Sequence, residues 1–430
     1  MPRNAKKKIA FVFPTSWDKR QLEACRSRWS DSFEIIFTEP SDQDCPYDFD
    51  VLKFIEQATE NYRGRIDGVT SSSDYPGATV AGAIATRLGL AGSLPETVIR
   101  CSHKYYSRLA QREAAPEATP AFQLVDPRRP AETPPGIDFP FFIKPVKGAF
   151  SVLVRRIDTP AELADFLAHP ATVEFMQEYM LLFNKLFHGV TTLEYDGSYF
   201  LAEGLLKGAL ATVEGFSVGG GVEIVGIVDS VLHPGTNSFA RFVYPSSLSA
   251  VVQGRMADIA SRVIRHLGLT QTLFNVEMIH DPATDEIHII EINPRICGQF
   301  ADLYAKVDGT NTYEIALALA SGDTPRLRKG SGTYAVAASQ PLRVFEAVIV
   351  TRAPEEPLIR SVESAYPETL VWTECETGQK LADFAWLEDG ESFRYGIINL
   401  GAETLQELDV RFDQVQEQLG FRFSPCAADD

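Results

Sequence analysis

The stretch from Phe274 to Arg295 constrains this chain more than any other. Phe274-Asn-Val-Glu-Met-Ile-His-Asp and Ile289-Ile-Glu-Ile-Asn-Pro-Arg295 lie in two apolar runs, Phe274–His280 and Glu286–Ile292, on either side of Asp281-Pro282. That pattern predicts a hairpin. Strand side chains alternate between faces, so the pair would put Glu277 and Glu291 on one face, with Asn293 two residues further on the same side. Two carboxylates and an amide oxygen converging on one spot make a hard-oxygen site. It suits Mg2+ (or Mn2+) that completes its shell with nucleotide phosphates rather than a caged ion. Arg295 follows at once and can hold a phosphate or carboxylate with its planar fork.

The N-terminal part reads differently. Short apolar runs at Ile9–Phe13, Phe33–Phe37 and Ile66–Thr70 alternate with helical patterns at Asp18–Trp29, Phe49–Tyr62 and Gly77–Leu88, the last closed by Gly89. This order predicts an open parallel sheet with ligands at its C-terminal strand ends, which makes Ser71–Tyr75, with Ser73, a candidate substrate contact. No G-x-G-x-x-G follows the first run, which argues against a dinucleotide oxidoreductase. A Pro-rich tract from Pro116 to Pro135 follows, broken by a strand at Ala121–Val125, and then Phe139–Pro145, a strand with Lys144 at its exit. Lys185–Tyr195 and Tyr199–Leu206 read as a second hairpin about Asp196-Gly197. Met256–Leu267 and Tyr313–Leu319 read as helices. Beyond about residue 335 the pattern is strands with Gly turns, closed by an amphipathic helix at Leu405–Leu419.

Charge separates the ligand classes. The chain of 430 residues has 40 basic and 58 acidic side chains, a net charge of −18, which argues against a nucleic-acid or anionic-membrane binder. The acidity is concentrated: Thr351–Asp430 holds 6 basic and 17 acidic residues, whereas Arg100–Arg156 holds 10 basic and 5 acidic. An anionic ligand belongs near the second stretch. The six cysteines are scattered, with no C-x-x-C pair, so neither a zinc ribbon nor a disulfide framework is indicated. The basic start is followed by an apolar run of only Ile9–Phe13, too short for a signal peptide, and the expectation is a cytoplasmic protein.

With these residues in place the chain resembles the ATP-grasp superfamily, and within it the carboxylate–amine (L-amino acid) ligase branch. The resemblance runs over most of the chain. It implies an α+β fold: an N-terminal α/β domain (1–115), a small grasp lobe ending in a hinge (116–180), a large lobe with the metal site (181–335) and a small C-terminal α+β domain (336–430). It implies two ATP lysines, Lys104 in Cys101-Ser-His-Lys-Tyr-Tyr and Lys144 in Phe-Ile-Lys-Pro. A phosphate loop would be Lys147-Gly-Ala-Phe-Ser151. Gln177-Glu178-Tyr179-Met180 would be the adenine-reading hinge, with Asn184 standing where the family commonly has a ribose-binding Glu. Glu214–Gly221, with Gly220 among its three glycines, resembles a mobile lid. Arg241 and Gln299 are candidate substrate contacts, as is His233, and Cys297 reads as a wall of the cleft. Catalytic roles would fall to Arg295 and Lys144.

What the resemblance implies chemically is ATP-dependent activation of a carboxylate to an acyl phosphate, then attack by an amine, with ADP and phosphate released. The partners would be a small-molecule carboxylate and amine, with no nucleic acid and no membrane, and the resemblance admits a homodimer. Biotin-carboxylase-like activation of bicarbonate or formate is the rival enzymatic reading, and no biotin-carrier Met-Lys-Met is present. A nucleotide-binding regulatory protein without turnover is the rival of another class. Two metal carboxylates beside two lysines argue against it.

Overall fold

The structure is a computed structural model, and it describes residues 5–42, 44–46, 48–129, 136–148, 153–383, 388–389 and 392–426. The N-terminal domain runs β1 (Lys7–Phe11), α1 (Ser16–Ala24), α2 (Arg26–Trp29), β2 (Phe33–Phe37), α3 (Val51–Tyr62), β3 (Gly68–Thr70), α4 (Gly77–Leu88), α5 (Pro95–Ser102) and α6 (Lys104–Ala114). Its strands form a parallel sheet in the order β2-β1-β3. Ala10 and Val12 pack beneath α3 and α4, while Ile9 and Phe11 face the opposite core. Gly89, at φ 68°, ends α4 in the left-handed conformation that glycine adopts without strain. The loop after β3 leaves from the C-terminal edge of this sheet. The backbone N–H of Lys104 donates to the Val146 carbonyl at 2.7 Å, which pins the start of α6 against the next lobe.

That lobe has β4 (Phe122–Val125), β5 (Phe141–Pro145), β6 (Arg155–Ile157), α7 (Pro160–Ala168), α8 (Pro170–Val190) and β7 (Phe200–Gly204), with an antiparallel sheet in the order β4-β7-β5-β6. Here the structure departs from the sequence reading. Lys185–Tyr195 does not form a strand: α8 continues to Val190 because Leu182, Phe183, Leu186, Phe187 and Val190 repeat at helical spacing. Leu182 and Leu186 enter the N-terminal core, and Met180, Phe183 and Phe187 pack with Ile99 and Tyr106. The break expected after residue 180 therefore falls inside a helix. The chain passes from the small sheet to the large one at 205–208, between β7 and the next strand.

The large sheet begins with β8 (Ala209–Val218), β9 (Gly221–Leu232) and β10 (Phe239–Tyr244), crosses through α9 (Ala250–Leu267), and returns as β11 (Thr272–Asp281) and β12 (Glu286–Asn293) before α10 (Ala301–Asp308) and α11 (Thr312–Ala320). The C-terminal part adds β13 (Val336–Val344), β14 (Val348–Arg352), α12 (Glu356–Ala365), β15 (Leu370–Thr373), β16 (Glu388–Asp389), β17 (Ser392–Ala402), α13 (Leu405–Leu419) and β18 (Arg422–Pro425). β13 pairs with β10, so one sheet runs β12-β11-β8-β9-β10-β13-β17-β15 from the grasp lobe into the C-terminal domain. Strands β8 and β9 stay paired down to Val218 and Gly221, and Gly219 and Gly220, at φ 58° and 80°, close a tight hairpin. The expected lid is thus a paired ribbon. Among the described residues no helix is long and apolar enough to cross a membrane.

Candidate functional site

Three adjacent strands build the floor of the site by register alone. Thr212, Glu277 and Glu291 form one cross-strand row, and Glu214, Asn275 and Asn293 form the next. The alternating residues Val213, Val276 and Ile292 point the other way, into the core under α9. On the polar face Asn293 Nδ2 lies 3.3 Å from Glu277 Oε1, 3.3 Å from Glu291 Oε1 and 2.9 Å from Asn275 Oδ1. Burial, and then the facing Glu291, push Glu277 up to about 8. Burial acts the same way on Glu291, but Lys104 and Lys144 outweigh it and hold that carboxyl below its ordinary value.

This donor set fits a particular kind of cation. Among the described residues no three His, Cys, Asp or Glu side chains gather as a metal cage. Two facing carboxylates with adjacent amides match a cation that brings phosphate and water oxygens of its own, as Mg2+ does on a nucleotide.

Cations approach this floor from α6, from β5 and from the segments that follow β5 and β12. Lys104, the first residue of α6, donates to the Gly148 carbonyl at 3.1 Å and stands 3.3 Å from Glu291. Lys144 on β5 stands 2.5 Å from Glu203 of β7 and is almost wholly buried. Lys147 pairs with Asp74, which the loop after β3 delivers from the N-terminal domain. Burial lowers both Lys144 and Lys147, and their carboxylate partners oppose that fall. Arg295, half-buried, is raised instead: burial lowers it, but Asp74, Glu277 and Glu291 outweigh burial. Asp74, Lys104, Lys147, Gly148, Glu291 and Asn293 line one cavity.

Other residues named from sequence are held elsewhere. Glu178, Tyr179 and Met180 lie within α8, whose backbone groups are spent on the helix, so that segment cannot read adenine as an extended hinge. Asn184 braces a turn: its Oδ1 accepts from the Gly197 N–H at 2.8 Å and its Nδ2 donates to Ser198 at 3.1 Å. A Cβ on Gly197 would come 2.8 Å from that same Oδ1, so the fit needs glycine. Ser73 is buried, donates to Asp42 and accepts from the Gly77 N–H at 3.2 Å. Arg241 on β10 pairs with Asp409 of α13. His233 packs on Phe345 with ring centroids 5.0 Å apart. Gln299 donates to Ser339 of β13 at 2.9 Å. Gly220 sits at the hairpin tip, with Val218 six residues along β8 from Thr212, roughly 20 Å at strand rise. Ser151 lies outside the described residues.

Sequence reasoning singled out Ser73 rather than Asp74 within Ser71–Tyr75, read Glu214 only as the start of a lid, and missed Arg108, Glu203 and Asn275. Glu203 carried a signal, a lone carboxylate in Phe200-Leu-Ala-Glu-Gly next to the true crossover, and Arg108 follows Lys104 by one helical turn. Glu214 is fully buried on β8, accepts from Tyr304 Oη at 3.2 Å and from the Cys297 N–H at 3.5 Å, and is pushed up to about 8 by burial.

Comparison with known proteins follows the same lines. Residues 137–302 match the family model of the ATP-grasp domain. Among solved structures, L-amino acid ligase from Bacillus licheniformis superposes with a TM-score of 0.76 at 16% identity, covering 99% of this chain and 100% of that one. Phosphoribosylglycinamide synthetase from Anaerococcus prevotii gives 0.62 at 13% identity, covering 98% and 100%. Biotin carboxylase from Campylobacter jejuni gives 0.65 at 13% identity, covering 98% and 92%. At these identities the likeness establishes the fold. No curated protein matches the chain by sequence.

Proposed function

We propose, from the match of residues 137–302 to the ATP-grasp domain, that the chain is an ATP-grasp enzyme, an ADP-forming ligase joining a carboxylate to an amine. One observation carries this reading: Glu291 shares a cavity with Lys104 and Lys147, Glu277 faces it from the next strand, and the charges of both carboxylates act on Arg295. That set suits a polyphosphate and a developing acyl phosphate. The thiol nearest to Arg295, Cys297, is pushed up to about 12 by burial and stays protonated, so it is no nucleophile at neutral pH.

ATP and Mg2+ are the co-substrate and metal of this reading. Glu277, Glu291 and Asn293 would hold the Mg2+, which when bound neutralises charge on the transferring phosphoryl group. Lys104, Lys144 and Lys147 bind phosphate oxygens, each giving up the carboxylate or carbonyl it now touches. A substrate carboxylate oxygen attacks the γ-phosphorus and ADP leaves. Arg295, on which the charges of Asp74, Glu277 and Glu291 act, holds the resulting acyl phosphate. The amine then attacks the acyl carbon, phosphate leaves, and the nitrogen loses a proton to give the amide. An amino acid is the proposed amine, giving a dipeptide or an amide.

The higher TM-score with L-amino acid ligase, 0.76 against 0.65 for biotin carboxylase, supports this branch over bicarbonate activation. The test is release of ADP and phosphate across a panel of amino acids and related acids, supplied singly and in pairs. Release that requires both an acid and an amine supports the reading. Release stimulated by bicarbonate alone sinks it.

A further inference from the structure

Two of the cations on helix α6, Lys104 and Arg108, stand one turn apart, and the second does none of the ligase chemistry described above. Arg108 is 1% exposed. All three guanidinium nitrogens are committed: Nε donates to Glu203 Oε1 at 2.6 Å, Nη1 to Gln111 Oε1, and Nη2 to the Ile290 carbonyl at 2.7 Å. The other oxygen of Glu203, Oε2, stands 2.5 Å from Lys144 Nζ. One buried carboxylate is therefore shared by two cations, one on β5 and one on α6.

The arrangement matters once a nucleotide arrives. A phosphate that draws Lys144 towards itself weakens the hold of Lys144 on Glu203. A carboxylate this deeply buried and left unpaired is strongly unfavourable, and it would also repel the phosphates. A second cation on the same carboxylate removes that obstacle. Its third anchor, the Ile290 carbonyl, is the backbone of the residue beside Glu291, so the small-lobe carboxylate is fixed relative to the metal strand of the large lobe.

We infer that Arg108 is a positioning residue for the nucleotide: it keeps Glu203 paired while Lys144 transfers from Glu203 to the phosphates. This rests on the ATP-site reading above. Arg108 lines the same cavity as Lys104 and Glu291, but its three nitrogens are committed to protein acceptors, so it acts through Glu203.

The experiment is a double-mutant cycle read by calorimetric titration of MgADP onto the wild type, Arg108→Met, Glu203→Gln and the double variant, with circular dichroism on each. In Arg108→Met, Lys144 is the sole partner of Glu203, and MgADP should bind at least about tenfold more weakly. Glu203→Gln sets the reference affinity, and the double variant should bind MgADP as Glu203→Gln does, more tightly than Arg108→Met, because no carboxylate is left to hold Lys144. A packing role for Arg108 cannot produce that rescue. A double variant as weak as Arg108→Met, or weaker, overturns the inference. Should Arg108→Met not fold, Arg108→Lys keeps the charge and should bind MgADP within about fivefold of wild type, and a folded Arg108→Lys that has lost binding overturns it too. Absence of MgADP binding to the wild type would remove the nucleotide reading itself, and this inference with it.

Discussion

Glu277 and Glu291 stand directly opposite each other on β11 and β12, with Asn293 Nδ2 3.3 Å from an oxygen of each. Burial and the facing Glu291 push Glu277 up to about 8, so ionising both carboxylates, as a cation requires, is unfavourable without one. Glu277→Gln should lower turnover by at least about a hundredfold while leaving the thermal midpoint equal to or above that of wild type. Steady-state kinetics and calorimetry read the two together. Near-full activity with Mg2+ would refute the metal assignment.

Lys147 and Asp74 form an ion pair between the small lobe and the N-terminal domain, with side-chain exposures of 4% and 16%. Breaking a buried pair from one side costs about 3–5 kcal/mol, so Asp74→Asn should lower the thermal midpoint. A bound phosphate would give Lys147 a new partner. Saturating MgADP should then raise the midpoint more in the variant than in wild type. Equal shifts would mean that Lys147 is not a phosphate ligand.

Asn184 separates a fold role from a ribose role. Its two hydrogen bonds to Gly197 and Ser198 tie α8 to the turn before β7. Asn184→Ala should cost about 1–2 kcal/mol in denaturant unfolding and leave the KM for ATP within about twofold. A large rise in that KM without loss of stability would return Asn184 to the nucleotide.

Glu214 should give the protein a pH-dependent stability term. Burial raises it from an ordinary value of 4.5 to about 8. Between those values the unfolded chain has released the proton and the folded chain still holds it, so this group's contribution falls as pH rises from about 4.5 towards 8. Glu214→Gln has no such dependence. Its stability relative to wild type should grow between pH 5 and pH 8, by an amount on the order of a few kcal/mol. A constant difference across that range would show that the carboxyl is not held neutral.

The parts of the site that sequence made legible are those fixed by local geometry. Alternation along a strand puts Glu277, Glu291 and Asn293 on one face whatever surrounds them, and Gly89 ends α4 by its own backbone preference. The hinge was not legible in that way. Gln177–Met180 and Leu201–Gly204 each set a glutamate among apolar residues, and only the helical stripe from Leu182 to Val190 tells them apart. Arg241, Gln299 and Glu214 are settled by partners far along the chain: Asp409, Ser339, and Tyr304 with Cys297. No local pattern encodes such contacts. The ribbon form of the expected lid was not legible because three glycines suit a flexible loop and a tight hairpin equally, and the difference lies in the pairing of β8 with β9.

The most direct test of the account follows oxygen. Amino acids labelled with 18O in the carboxylate are supplied with ATP, Mg2+ and an amine acceptor, and the released phosphate is analysed by mass. Activation through an acyl phosphate moves one carboxylate oxygen into phosphate for each amide formed, so labelled phosphate and amide should appear in equal amounts. Amide formed with unlabelled phosphate would contradict the central claim.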